Sequence, residues 1–397
     1  MRIVRKITVL VFCIVITYIA LPFLISPIYD FSPPHTFEGK SFYNPYQDIN
    51  TLQLLKANFH YHSNTWGIIT DGRNSQNTAP NIKSKFSSHG YNMISISDYM
   101  SINPESPVRL YEHGMGAYKA HRLVMGSSNV LWLDFIPLHN VHHKQFMINL
   151  LKSDSNMIAL AHPSWNNAYT PTDVKVLGNY DCFEIQNSNK ESLALWDSAL
   201  SAGKPVFLMA DDDGHDIDDL GVTARIFTFL FAKDSSESSV IYALKRGQSM
   251  GVAIPWQWNP DTALRHAVHR EILIPDTISY SQNTYYVHLP DTVKEIKIIG
   301  NQGRILKLAN NINEISYPVL LSDSYVRTEI TLKNEVVLYL NPIVRCDESL
   351  SKIDYPEVNI WKTIFIQIAL WPLYIVSLFL FYRVMKAGKK TKITDLS

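Results

Sequence analysis

The two ends of the chain constrain its fold most, because each carries an apolar segment long enough to cross a membrane. Residues 7–26 contain no charged side chain, and residues 362–383 are apolar between Lys362 and Arg383. A helix needs roughly 20 apolar residues to span the hydrocarbon core of a bilayer. We therefore predict one transmembrane helix at 7–26 and another at 362–383.

Basic residues flank both segments on the side of the chain terminus. They are Arg2, Arg5 and Lys6 before the first segment, and Arg383, Lys386, Lys389, Lys390 and Lys392 after the second. Basic residues stay on the cytoplasmic side, so we predict that both termini are cytoplasmic and that the body is extracytoplasmic, either periplasmic or at the cell surface. The alternatives are a cleaved signal peptide for the first segment and a core helix for the second. The length of the first apolar run and the absence of a small-residue cleavage site disfavour the signal peptide.

The composition excludes some classes of protein. Lys+Arg and Asp+Glu both total 36, which removes the overall electrostatic case for a nucleic-acid partner. The three cysteines, Cys13, Cys182 and Cys346, do not make a disulfide framework, although a Cys182–Cys346 bridge stays open in an oxidising compartment.

Between the two segments the pattern first alternates strands with helices and then becomes all-β. The predicted strands are 52–59, 93–97, 130–135, 157–161, 182–186 and 206–210, with helices at 79–88, 142–152, 172–177 and 192–202. Such alternation predicts an α/β domain with a parallel sheet, which we place at 50–265. Short strands with turn signals follow, and they predict a small β-sandwich at 270–347.

Histidines and aspartates recur where the predicted strands end. His60 and His62 lie two residues apart and so share one face of a strand, and Asp71 follows them with a hard oxygen ligand. His162, Asp213 and His215 follow later strands. Parallel strands bring their carboxyl ends to one edge, so these side chains are expected to converge on a divalent metal. The histidine pair alone would also fit a chance surface arrangement.

Taken together, these motifs resemble the PHP family, the polymerase and histidinol phosphatase type of metal-dependent phosphoesterase. The matching segments are His60-Tyr61-His62 with Asp71-Gly72, the strand that ends at Asp98, Ala161-His162-Pro163, the strand with Glu184 and Asn187, and Asp213-Gly214-His215. The chain departs from the family pattern twice. Tyr99 stands where a histidine is expected, and Ser127-Ser128 stands where a ligand glutamate is expected.

The resemblance implies a distorted (β/α)7 barrel that holds one to three divalent ions, Zn, Mn or Fe. It makes these residues the candidate ligands: His60, His62, Asp71, His162, Asp213 and His215. It implies a phosphoesterase in which Asp213 or His215 orients water or protonates the leaving group. The substrate would be a phosphorylated small molecule, glycan or lipid.

The two departures keep alternatives open. One is a degenerate barrel that binds an anionic glycan or lipid without turnover, and another is a metal-dependent hydrolase of a non-phosphate bond. Glu112-His113 would supply a substitute ligand, but a surface position is favoured for that pair. Tyr99 either orients a phosphate or packs. Arg122 or Arg225 is a candidate phosphate ligand. Four further histidines are expected to be structural: His121, His139, His142 and His143.

Overall fold

A computed structural model describes residues 2–67, 74–188, 190–255, 262–347, 350 and 355–387. Its helices are α1 (Arg2–Ile25), α2 (Ala79–Ser88), α3 (Val141–Leu151), α4 (Pro171–Val176), α5 (Leu193–Ser201), α6 (Glu237–Lys245), α7 (Thr262–Arg270) and α8 (Ile360–Ala387). Its first strands are β1 (Tyr29–Asp30), β2 (Ser41–Tyr43), β3 (Gln53–Asn58), β4 (Met93–Ile94), β5 (Leu110–His113), β6 (Arg122–Met125), β7 (Met157–Leu160), β8 (Cys182–Gln186) and β9 (Phe207–Ala210). The later strands are β10 (Ile226–Ala232), β11 (Ser249–Ala253), β12 (Thr277–Ser281), β13 (Thr284–Gly300), β14 (Arg304–Pro318), β15 (Tyr325–Thr331), β16 (Val337–Cys346) and β17 (Glu357–Val358).

Most of the described strands belong to two sheets. The larger sheet has the order β12-β13-β15-β16-β11-β10-β3-β4, with β14 on β13 and β2 on β16. The antiparallel strands predicted after residue 270 are present, but β16 pairs with β11, so their sheet is continuous with the earlier strands. The division into domains at 50–265 and 270–347 stays a prediction.

The smaller sheet has the order β5-β6-β7-β8-β9 and is only partly parallel. The β7–β8 and β8–β9 pairs are parallel as predicted, whereas β5–β6 and β6–β7 are antiparallel. Sequence analysis missed β5 and β6, and its strand at 130–135 is wrong. That segment is a loop, because Asp134 Oδ2 accepts hydrogen bonds from the backbone N–H groups of Met115 (2.6 Å) and Gly116 (3.1 Å).

Side chains rather than strand pairing join the two sheets at β9. The Thr228 hydroxyl hydrogen-bonds the backbone N (3.0 Å) and O (2.9 Å) of Ala210, and Asn341 Oδ1 accepts from the N–H of Leu208 at 2.8 Å. These side chains occupy the place where another strand would pair, so the described strands do not close into the predicted (β/α)7 barrel. Two single-residue parallel bridges, Tyr61 with Gly214 and Tyr99 with Glu112, link the segments nearest the site.

The terminal helices α1 and α8 lie side by side and run antiparallel. Phe12 stacks on Phe381 at 4.5 Å between ring centroids, and farther along α1 the Thr17 hydroxyl lies 2.5 Å from that of Tyr374. Just beyond the helices, β1 pairs with β17. By length and composition, Lys6–Ile25 and Ile360–Met385 are each apolar enough to cross a membrane.

Candidate metal centre

A group of buried histidines and carboxylates lies where the ends of several strands meet. We call it the histidine–carboxylate cluster, and its members are His60, His62, Glu112, His121, His162, Asp213 and His215. Five of the six predicted ligands are in it. The sixth, Asp71, lies outside the described residues.

The first and last motifs are joined through their backbones. The N–H of Asp213 donates to the carbonyl of His60 at 2.9 Å, and the N–H of His62 donates to the carbonyl of Gly214 at 2.8 Å. A Cβ at Gly214 would lie only 2.2 Å from the ring of Tyr61, so only glycine allows this approach. The pairing therefore sets Asp213 and His215 beside the histidine pair.

Three consecutive aspartates near this point have different tasks. Asp211 Oδ1 accepts the N–H of Phe59 at 2.6 Å, and Asp212 accepts the N–H groups of Ala224 and Ile226 at 2.7 Å each. Only Asp213 faces the cluster, and its Oδ1 lies 3.1 Å from His60 Nε2. The first two carboxylates hold the loops that position the third.

Glu112 occupies the middle of the cluster, although sequence analysis favoured a surface position for it. Its side chain is fully buried, with Oε1 2.5 Å from His121 Nδ1 and 3.0 Å from His162 Nε2. Its Oε2 lies 3.3 Å from His62 Nε2. His121 also belongs to the cluster, so the expectation that it is merely structural has no support in its position.

The direction of β6 explains both misplacements. Because β6 runs antiparallel to β5 and β7, its first residues face the site, and the residues after it point away. Ser128 is accordingly exposed and remote, whereas Glu112 on β5 pairs with Leu123 beside the site. A carboxylate is thus present, but it comes from a strand that the alternation pattern does not reveal.

The other residues singled out from the sequence lie around the cluster or away from it. Tyr99 stacks on the His62 ring at 4.7 Å between centroids. Asp98 is not in the cluster and accepts hydrogen bonds from the N–H (2.7 Å) and hydroxyl (2.8 Å) of Ser63. Arg122 is buried and donates to the carbonyl of Ala120 at 2.8 Å.

The remaining candidates have local backbone contacts. His113 Nε2 faces the carbonyl of Leu133 at 3.0 Å, and His142 Nδ1 accepts the N–H of Tyr29 at 3.1 Å. His143 Nδ1 accepts the N–H of Asn140 at the start of α3, and the ring of His139 lies 5.5 Å from that of Tyr118. The backbone N–H of Arg225 donates to Asp212 Oδ1 at 2.9 Å.

The donor atoms fit a divalent metal. Within the described residues, His60 Nε2, His62 Nε2 and Glu112 Oε2 are buried and have no hydrogen-bond partner, which is costly unless something else binds them. Ligands about 2.1 Å from one ion in tetrahedral or octahedral geometry lie about 3.0–3.4 Å apart. The separation of 3.1 Å between His60 Nε2 and Asp213 Oδ1 and that of 3.3 Å between His62 Nε2 and Glu112 Oε2 have this value.

The electrostatics of the cluster also suit a cation. Burial acts to lower the pKa of His60, but the charges of Asp213, Glu184 and Glu112 outweigh burial and raise that pKa well above its ordinary value. Burial acts to raise the pKa of Glu112, yet His121 and His60 bring it well below its usual range. The pocket therefore favours ionised carboxylates surrounded by positive charge, which is the environment that a bound divalent ion provides.

Outer contacts and backbone strain hold the donors in place. Glu184 Oε1 lies 2.8 Å from His60 Nδ1, which turns Nε2 toward the cluster, and such carboxylate partners orient ligating histidines in metal sites. His162 (φ 29°) and Asp213 (φ 52°) both have positive φ angles, which non-glycine residues rarely adopt. Strain of this kind concentrates at functional sites.

Comparisons with known proteins give little further assignment. No protein-family model matches the chain, and no curated protein matches it. Among solved structures, it is similar to a two-domain protein from Bacteroides vulgatus ATCC 8482 that contains a predicted PHP-like metal-dependent phosphoesterase. The TM-score is 0.40 at 14% identity, and the match covers 79% of this chain and 99% of that one. A TM-score and an identity this low establish neither a shared family nor a shared activity.

Proposed function

We propose that the protein is a membrane-anchored, extracytoplasmic metal-dependent phosphoesterase with a PHP-type site. The observation that carries the proposal is the histidine–carboxylate cluster, in which buried donor atoms have the mutual spacing of ligands to a shared ion. Its residue types suit Zn, Mn or Fe, since imidazole binds all three and carboxylate oxygen adds a hard ligand.

The cluster divides into two groups of three ligands that share no residue. One is Glu112, His121 and His162, and the other is His62, Asp213 and His215. His60 lies between them, 3.1 Å from Asp213 and 3.5 Å from Glu112. We propose that the site holds about two ions, as in other enzymes that displace phosphate esters. Three protein ligands for each ion would leave a position open for water or substrate.

The chemistry divides between the ions and the chain. Bound divalent ions supply Lewis-acid stabilisation of the phosphoryl oxygens and of the attacking and leaving oxygens. Asp213 and His215, with His215 Nε2 3.6 Å from Asp213 Oδ1, are the groups placed to orient water and to give a proton to the leaving oxygen. The Tyr99 ring covers His62 and limits the entry of bulk water.

The arrangement of the terminal helices supports the proposed topology. Because α1 and α8 pair antiparallel, a bilayer around both would leave the two termini on one side and the body on the other. Basic residues beside both termini favour the cytoplasm for that side. A reporter fused after Ser397 should read as cytosolic, and an external reading would contradict the topology.

The test of the activity is turnover of a generic aryl phosphate by the purified full-length chain. We expect turnover that stops after chelation and returns when Zn²⁺ or Mn²⁺ is added. His60→Ala should abolish it, whereas His288→Ala should not, because His288 pairs with Asp276 on the surface of β13. Metal retention without any phosphate turnover would contradict the proposal and favour hydrolysis of another bond. Absence of both would favour a binding shell without catalysis.

A further inference from the structure

The loop at residues 131–138 lies against the outer half of α1. The Tyr18 hydroxyl donates to the carbonyl of Trp132, and the ring of Phe23 packs edge-on against that of Phe135 at 5.0 Å. Tyr18 lies seven residues before the end of α1 at Ile25, which is about 10 Å along the helix at 1.5 Å per residue. If α1 crosses the bilayer, this loop therefore reaches its outer boundary.

The same loop also reaches the rim of the histidine–carboxylate cluster. The ring of Trp132 packs edge-on against that of Trp66 at 6.2 Å, and Trp66 Nε1 donates to the carbonyl of Tyr99 at 2.5 Å. The Tyr99 ring in turn stacks on His62. A short series of direct contacts thus runs from the membrane helix to a candidate metal ligand.

The residues along this path have the character of a membrane-facing surface. Trp132 and Leu138 are 51% and 60% exposed, and Tyr118 is exposed beside His139 in the same region. Tryptophan and tyrosine are enriched where bilayer meets water. Lys119, whose ammonium lies 5.9 Å from the centre of the Tyr99 ring, adds an exposed cation at the mouth of the site. A cation at this level suits an anionic lipid head group.

We infer that the site opens toward the outer surface of the bilayer and acts on a phosphate ester carried by a membrane lipid. This inference rests on the proposed function and names its substrate class. An enzyme for a freely diffusing phosphate gains nothing from exposed apolar side chains between its site and the membrane. An enzyme for a lipid-borne phosphate uses them to bring the site to the level of the head groups.

The position of the loop can be tested without any activity. We would place an added tryptophan at Leu138 or at Tyr242, which are similarly exposed at 60% and 64%, and reconstitute each full-length variant in brominated phosphatidylcholine. Tyr242 is the matched control because its helix, α6, begins at Glu237, which pairs with Arg109 at the end of β5 farthest from Glu112. We expect bromine to quench the added emission of Leu138→Trp and not that of Tyr242→Trp. Equal quenching of the two, or none of either, would overturn the inference.

The substrate class can be tested with one reaction in two forms. One probe is a water-soluble aryl phosphate, and the other is the same aryl phosphate with a hexadecyl chain, seated in the proteoliposome bilayer. We expect the chain-bearing ester to react roughly tenfold faster or more at micromolar bulk concentration, since confinement to one bilayer gives an effective concentration on the order of millimolar. Leu138→Ser should reduce this preference, and Tyr242→Ser should keep it.

The outcomes separate this inference from the proposal beneath it. Turnover of the soluble ester at a rate equal to or above that of the chain-bearing ester would overturn the inference and leave the phosphoesterase in place. No turnover of either ester would overturn both. A preference for the chain-bearing ester that Leu138→Ser leaves unchanged would also contradict the inference, because the apolar loop would then have no part in it.

Discussion

Replacing Glu184 by glutamine should weaken metal binding even though Glu184 is not itself one of the proposed ligands. Its Oε1 lies 2.8 Å from His60 Nδ1, and its Oε2 accepts the backbone N–H of His162 at 2.6 Å. Glutamine keeps the size but offers one acceptor oxygen, so its amide N–H₂ would face a second donor. A hydrogen bond to a charged group contributes about 1.5–3 kcal/mol. Loss of such a partner to a ligating histidine weakens metal affinity about 10–100-fold.

The assay is a competition titration, in which a chromogenic chelator competes for Zn²⁺ with the purified full-length chain. Glu237→Gln is the matched control, because Glu237 pairs with Arg109 at the surface and away from the cluster. We expect the dissociation constant to rise for Glu184→Gln only. An unchanged constant for Glu184→Gln in a folded protein would refute the claim that Glu184 orients a ligating histidine.

Two further predictions concern other parts of the chain. Burial lowers the pKa of Lys56 from 10.5 to about 7, so the unfolded chain binds more protons between those values and stability should rise with pH across that window. Lys56→Met should flatten the rise in a thermal-unfolding series, and an unaltered slope would contradict the low pKa. Asp30 and Glu357 are paired residues of β1 and β17, with Cα atoms expected about 4.5–5.5 Å apart. Asp30→Cys with Glu357→Cys should therefore form a disulfide seen as a reductant-sensitive gel shift, and failure to cross-link would argue against the pairing of the two helix ends.

Local patterns predicted the parts of the site that local structure creates. His60 and His62 follow a strand whose period fixes their common face, and His162 follows an apolar run that forms β7. The Asp213-Gly214-His215 segment likewise follows β9 directly. In each case the position of a side chain depends on residues within one strand, which a single sequence reveals.

What the sequence did not reveal depends on strand direction and on contacts between distant segments. Glu112 and His121 enter the cluster because β5 and β6 run antiparallel, and no spacing rule gives that direction. The apolar run at 130–135 resembles a strand, yet it is a loop that covers Phe23 and carries Trp132. The barrel did not close because Thr228 and Asn341 bond to β9 through side chains, which strand periodicity cannot predict.

The central claim is that the histidine–carboxylate cluster binds divalent metal, and elemental analysis of the purified full-length chain tests it most directly. The account predicts about two divalent ions per chain, as for a two-metal site. Chelation should remove these ions. His60→Ala and Asp213→Ala should each fold and lose metal, whereas His288→Ala should retain it. A metal-free parent chain after growth in Zn²⁺ and Mn²⁺, or full retention by His60→Ala and Asp213→Ala, would contradict the account.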